Sequence, residues 1–134
     1  MDDEAARQFV ARNHRGVLTT QKRDGRPQIS LIAYFMDKDG TLKISVTQDR
    51  AKTKNLRRDP RASVVCLDPE NWYSYVVVEG SSTFLENDLG ELRRYYRQVR
   101  GEDHSNWEEY DQAMLREKRL LLVIKPEKFY GMVR

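Results

Sequence analysis

The chain has 134 residues, with 24 Lys plus Arg against 21 Asp plus Glu, a formal net charge of +3 and 39% hydrophobic residues. A chain of about 150 residues buries about 70% of its unfolded surface, so one domain with a true core, 1–134, is the expectation, and so small a net charge disfavours nucleic acid as a partner. The single cysteine, Cys66, excludes an intrachain disulfide and a cysteine-based metal site; MDDEAARQF has neither a basic n-region nor an apolar h-region, and no apolar run approaches the ~18 residues of a membrane span, so a cytoplasmic protein is expected.

Asp2 or Asp3 can cap a first helix whose Ala6, Phe9 and Val10 form an apolar stripe ending near Asn13, as for a lid on a core. GVLTTQK and PQISLIAYFM follow as strands joined through Arg23-Asp24-Gly25-Arg26, where the Asp-Gly pair is a strong hairpin signal. Asp37-Lys38-Asp39-Gly40 then turns the chain into TLKISVTQ, so these three strands are expected to form a meander. After a basic segment come ASVVCLD and the long strand WYSYVVVEGSSTFLE. Two helices follow, around Leu89 to Val99 and Asn106 to Lys118, and RLLLVIKP and KFYGMVR close the chain as strands. Hairpin connections dominate, which predicts a mainly β fold: six or seven antiparallel strands in an open or closed barrel with peripheral helices. In PQISLIAYFM, Ile29, Leu31, Ala33 and Phe35 share one face, while Ile32, Tyr34 and Met36 share the other with Gln28 and Ser30. An antiparallel barrel leaves one face to water, so apolar residues on both faces predict burial against a second copy in a twofold homodimer.

The basic segment is Arg50 to Ser63, RAKTKNLRRDPRAS. Asp49 can cap its first turn, Ala51, Lys52, Lys54 and Leu56 favour helix, and Pro60 forbids continuation, so a helix from about Arg50 to Asp59 is expected. Lys52, Asn55 and Leu56 fall on one face, and Arg50, Lys54, Arg57, Arg58 and Arg61 on a wider one that cannot be buried. Arg50 and Lys52 lie beside the free N–H groups of the helix N-terminus, a geometry suited to phosphate. The competing reading is a solvated basic face with Asp49 as a plain cap. His14 at the end of the first helix, His104 in a turn, and Trp72 and Trp107 read as structural or interface residues. No triad or carboxylate pair is visible.

With DGRPQIS, ISV and RAKTKNLRRDPRAS in place, the chain resembles the split β-barrel flavin and deazaflavin oxidoreductases. More narrowly, it is similar to the pyridoxamine-phosphate-oxidase-like proteins that bind coenzyme F420, and the likeness extends through WYSYVVVEG and GEDHSNWEEYDQAML. The resemblance implies an FMN-binding-type split barrel and a homodimer holding the cofactor across its interface. It puts the cofactor phosphate on Arg50 and Lys52, with Asn55 and Ser45 as neutral hydrogen-bond partners. Gln28 and Ser30 would line the ring edge, Tyr73 and Tyr75 would reach in from the other subunit, and Lys54 and Arg57 would underlie the acidic oligoglutamate tail. The implied reaction is hydride transfer from reduced F420 to a small conjugated organic acceptor. FMN in the same cleft, or carriage of F420 without turnover, are the alternatives the resemblance allows. One departure stands out: FYGMVR occupies the C-terminus where true pyridoxamine phosphate oxidases carry Arg-Leu-x-Pro, so oxidation of pyridoxamine phosphate is not expected.

Overall fold

A computed structural model describes residues 1–134, with seven strands and four helices in the order α1 (Asp3–Arg12), β1 (Arg15–Gln21), β2 (Pro27–Ala33), β3 (Phe35–Met36), β4 (Leu42–Thr47), α2 (Ala51–Arg58), β5 (Arg61–Asp68), β6 (Asn71–Leu85), α3 (Leu89–Arg100), α4 (Trp107–Arg116) and β7 (Arg119–Met132). The Asp2 side chain caps α1 by accepting the Glu4 N–H at 2.7 Å, and Ala6, Phe9 and Val10 are fully buried beneath the helix. Burial of side chains such as Phe9 and Val10 stabilises the fold by about 1.5 to 3 kcal/mol each, which is what makes α1 a lid rather than a loose end. No helix is long and apolar enough to cross a membrane.

The strands form one antiparallel sheet, ordered β2-β1-β5-β6-β7-β4-β3, that curls into a split half-barrel. The β1–β2 hairpin forms as the Asp-Gly signal predicts, with Gly25 at φ +87°, a conformation that costs glycine nothing. The expected three-strand meander does not form. β4 turns away from β2 and pairs with β7, Leu42 opposite Ile124 and Thr47 opposite Arg119. The turn signals were local, whereas the choice of partner is set by where β4 can bury Leu42, Ile44 and Val46, all at most 1% exposed. PQISLIAYFM is not one strand either. It breaks at Tyr34, whose hydroxyl donates to Val10 O at 2.8 Å, and the break turns Phe35 inward to 2% exposure instead of leaving it beside Ile29 and Leu31. The two closing strands are in fact one, β7, which passes through Pro126 where the β6–β7 register shifts between Glu79 and Gly80. Gly80 permits that close crossing, since a Cβ there would lie 2.3 Å from Lys125 O.

Inward-facing residues of the strands meet α1 in one core that includes Leu18, Ile44, Val64, Val78, Leu122 and Cys66, with Met36 of β3 packed against it, and burial pushes the Cys66 thiol up to about 12. The opposite face carries a second apolar row. Cross-strand pairing aligns Leu31, Val17, Val65, Val77 and Tyr130 across five strands, with Ile29 and Met132 beside the row. Leu31 is 84% exposed and Ile29 59% exposed, so the row meets water at its β2 end. Helices α3 and α4 pack against each other and on β7 through Leu92, Tyr110 and Leu121.

Candidate functional site

Curling brings the free edge of β2 toward the free edge of β4. β2 ends the sheet and has only β1 as a neighbour; β3 pairs only with Lys43 and Leu42, so Ile44 to Thr47 have no partner on that side. The two edges flank a seam, and an unpaired strand edge is a row of backbone donors and acceptors. Tyr95, from α3, reaches into it. Its hydroxyl donates to Ala33 O on the β2 edge at 2.8 Å, and the Ser45 N–H of the β4 edge faces it. Burial raises the Tyr95 pKa above the usual phenol value, while the Ser45 N–H and the charges of Arg119, Arg15 and Arg100 pull the other way.

Beside this seam lies a cavity of about 490 Å³ in which Ser45 and Ala33 meet Tyr95, Tyr96 and the guanidinium groups of Arg15, Arg100 and Arg119. Arg119 is paired with Glu117 at 3.0 Å, and Arg100 lies over the Tyr96 ring at 5.3 Å. The chemistry of this lining is cationic and aromatic, fitted to a flat anionic guest.

Helix α2 closes the barrel end next to the seam. Leu56 anchors it in the core, and Thr53 Oγ1 donates to Thr47 O at 2.7 Å. The expected Asp49 cap is absent: Arg50 is the N-cap residue, no side chain accepts from the first turn, and that turn holds no acid. The reason is geometric, because the helix begins one residue later than the sequence suggests, at Ala51, and moves Asp49 out of the capping position. The first-turn N–H groups therefore have no capping side chain, and no acid shares that turn with Lys52. Partial burial lowers the Lys52 pKa from its usual 10.5, and the neighbouring Arg50 and Arg119 lower it further. Arg50 thus lies beside Lys52 with no ion pair to either, and the charge of Arg119, itself paired with Glu117, is felt at Lys52.

The remaining expected residues fall into separate groups. Lys54 and Arg57 are exposed and line an open groove of about 810 Å³ against Lys22 and Arg23 of the β1–β2 turn; Arg57 also pairs with Glu86 and covers the Phe84 ring at 4.5 Å. Asn55 is buried, its Nδ2 donating to Thr20 Oγ1 at 3.1 Å and its Oδ1 accepting from Arg58 at 3.1 Å, so its amide fastens α2 to β1. Gln28 and Ser30 are half-buried on the β2 face opposite Ile29, and Ser30 Oγ is buried without a hydrogen-bond partner. Tyr73 and Tyr75 stand 70% and 36% exposed at the far end of β6, where Tyr75 pairs with Met132, at the opposite end of β7 from Arg119. One copy of the chain does not bring them to Arg50. Sequence reasoning missed Tyr95, Arg15, Arg100 and Arg119, because their convergence depends on the β4–β7 pairing and on α3 folding back over the seam. His14 holds the β1–β2 corner, its Nδ1 lying 3.1 Å from Tyr34 O, and His104 packs on Tyr96, Trp107 and Tyr110.

A family model described as pyridoxamine 5'-phosphate oxidase matches residues 2–133. The chain belongs to the pyridoxamine 5'-phosphate oxidase family. This is a family of flavin-binding oxidoreductases on the split barrel described above. Among solved structures, the chain is similar to an F420 reductase, 22% identical over 92% of this chain and 94% of that one, with a TM-score of 0.69. It is also similar to a conserved hypothetical protein from Mycobacterium tuberculosis, 23% identical over 98% and 84%, TM-score 0.75, and to General Stress Protein 26 from Bacillus anthracis, 17% identical over 98% and 95%, TM-score 0.68. At these identities the structural likenesses establish the split-barrel fold of this pyridoxamine 5'-phosphate oxidase family member and leave its cofactor and substrate to the chemistry of its own residues.

Proposed function

We propose that this chain is a cytoplasmic, homodimeric oxidoreductase that uses reduced coenzyme F420 to reduce a small conjugated organic acceptor. The observation that carries the reading is the half-buried Lys52 side chain next to Arg50 at a helix N-terminus that no acid caps. Like charges gather there at a cost unless an anion joins them, and a cofactor phosphate is such an anion. Ser30 Oγ, buried and without a partner, is a further polar atom for which the fold supplies no mate.

When bound, the deazaflavin supplies hydride chemistry of its own. The residues of this chain bind and orient. Arg50 and Lys52 would grip the phosphate, and the unpaired β2 and β4 edges, with Ser45, Gln28 and Ser30 along them, would offer donors and acceptors to the ring edge. Lys54 and Arg57, facing Lys22 and Arg23, would hold the carboxylates of an oligoglutamate tail. The cavity walled by Tyr95, Tyr96 and Arg100 would receive the acceptor and exclude water; orientation of that kind contributes about 7 to 11 kcal/mol to lowering a barrier. Asn55 would act indirectly, by holding α2 in place. Tyr73 and Tyr75 would reach the site from a second copy docked on the apolar row of Leu31, Val17 and Tyr130.

The open cationic groove beyond Lys52 favours F420 over FMN, which has no carboxylate tail to place there. Incubating the protein with each cofactor, followed by gel filtration and absorption spectroscopy, tests this. Retention of F420 in preference to FMN, with the margin shrinking as salt rises, is the expected result. Equal retention or preference for FMN would replace the reading with an FMN enzyme on the same site, and F420 retained without turnover of any acceptor would leave a carrier.

A further inference from the structure

The split between β2 and β4 leaves backbone groups of both edges facing the seam, and one pair of them is satisfied from a third element. Tyr95 of α3 sets its hydroxyl between the edges, donating to Ala33 O at 2.8 Å while the Ser45 N–H points at the same phenol oxygen. A hydroxyl donates and accepts at a single atom, so one side chain joins an acceptor on β2 to a donor on β4, two strands that share no ladder. The edge groups that the cofactor ring needs are therefore already in use.

Two features make this closure reversible. The backbone of α3 is fixed without Tyr95: Leu92 is buried against Tyr110 and Leu121, Tyr110 Oη donates to Leu92 O at 2.7 Å, and the Arg94 guanidinium holds the Asp37 carboxylate through two hydrogen bonds. The Tyr95 ring leans on Phe35, centroids 6.2 Å apart, and lines the cavity of about 490 Å³ beside the seam. Its phenol can turn into that space by side-chain rotation alone, with the helix in place.

The covered pair also has a definite complement. A carbonyl and an N–H within reach of one atom match a ligand edge on which an N–H stands next to a carbonyl, and the pyrimidinedione rings of flavins and deazaflavins both end in such an imide edge. We propose that Tyr95 is a latch on the ring-edge subsite: its hydroxyl holds Ala33 O and the Ser45 N–H until an imide edge takes its place, donating to Ala33 O and accepting from Ser45, while the phenol turns into the neighbouring cavity. The inference rests on the placement of the cofactor ring along the seam and is independent of which cofactor it is. A latch lowers affinity, because part of what the ligand gains goes to replacing contacts the protein already has. The displaced ring becomes a wall of the cavity assigned to the acceptor, which takes its final shape only after the cofactor has entered.

Tyr95→Phe keeps the ring and removes the hydroxyl. F420 and FMN, which share the imide edge, are each titrated into the full-length parent and variant, and melting is recorded with and without them. Whichever cofactor the parent binds should bind the variant about fivefold more tightly, the worth of one net hydrogen bond. The variant should melt below the parent when alone and together with it when saturated. Exchange of the Ser45 amide should be faster in the variant alone and equally slow in both chains with cofactor bound. A clamp that stays in place during binding predicts lower melting in both states and unchanged or weaker affinity, and that result would overturn the latch. Preference for FMN with the fivefold gain would keep the latch and remove the F420 reading; preference for F420 without the gain would do the reverse. Binding of neither cofactor to either chain would overturn the latch together with the site.

Discussion

Replacing Lys52 by Met separates the proposed anchor from an ordinary surface lysine, because the two predict opposite signs in the protein without ligand. Met retains the length and apolar stem of the side chain and removes the charge. In the folded chain, partial burial and then Arg50 and Arg119 hold the Lys52 pKa below 10.5. Its protonated form therefore opposes folding at neutral pH, and that opposition fades as pH rises through the depressed value toward the 10.5 of the unfolded chain. Lys52→Met should accordingly melt at or above the parent temperature at pH 7, with the difference vanishing near the usual lysine pKa. Cofactor binding should move the other way. A charge-assisted hydrogen bond to phosphate contributes about 1.5 to 3 kcal/mol, so affinity for F420 should fall roughly ten- to a hundredfold. Fluorescence titration with F420 and thermal melting of the apo variant read the two effects separately. An unchanged affinity, or a loss of affinity accompanied by a lower apo melting temperature, would refute the anchor.

Tyr95→Phe removes a hydroxyl bonded to Ala33 O across the seam; stability by urea unfolding should drop by about 1 kcal/mol without loss of secondary structure. Arg58→Ala cuts the links from α2 to Gln21 O and Asn55 Oδ1 and should lower stability by about 1 kcal/mol in urea unfolding. Asp37→Asn strips the partner from Lys43, whose side chain is 9% exposed, and weakens the grip of Arg94; a loss of about 3 kcal/mol is expected. Arg94 and Lys43 hold the Asp37 pKa far below the usual carboxylate range, so its contribution is present at neutral pH and lost as pH falls below about 3.8, and acid unfolding of the parent should be steeper than that of Asp37→Asn. The parent should scatter light as a dimer and Leu31→Lys, at an 84% exposed position, as a folded monomer; a monomeric parent would remove the shared site.

Much of the fold was legible because it is written locally. The Ala6, Phe9 and Val10 stripe, the Asp24-Gly25 turn and the Pro60 stop each act within a few residues, and each sits where periodicity places it. The exposed row led by Leu31 was likewise visible as a second apolar face. What stayed hidden was pairing at a distance. Nothing near Thr47 announces Arg119 as its neighbour, so the third cation of the cluster could not be found, and nothing in LGELRRYYRQVR marks Tyr95 rather than Tyr96 as the side chain that crosses the seam. The Asp49 cap failed for a subtler reason: a shift of one residue in the helix start converts a capping acid into a bystander.

The partnership of β4 with β7 also orders the events of folding. The hairpin of β1 and β2 is complete by Ala33, but the strand that buries Leu42, Ile44 and Val46 must wait for residues about 80 positions further along, and such non-local closure is slow. As the chain leaves the ribosome, β4 therefore emerges with only the two-residue β3 beside it, followed by a basic segment, Ala51 to Arg61, that is among the most polar stretches of the sequence. The cations of that segment would then serve during synthesis, keeping nascent copies from pairing with one another through β4 until Leu120 and Leu122 arrive to cover it.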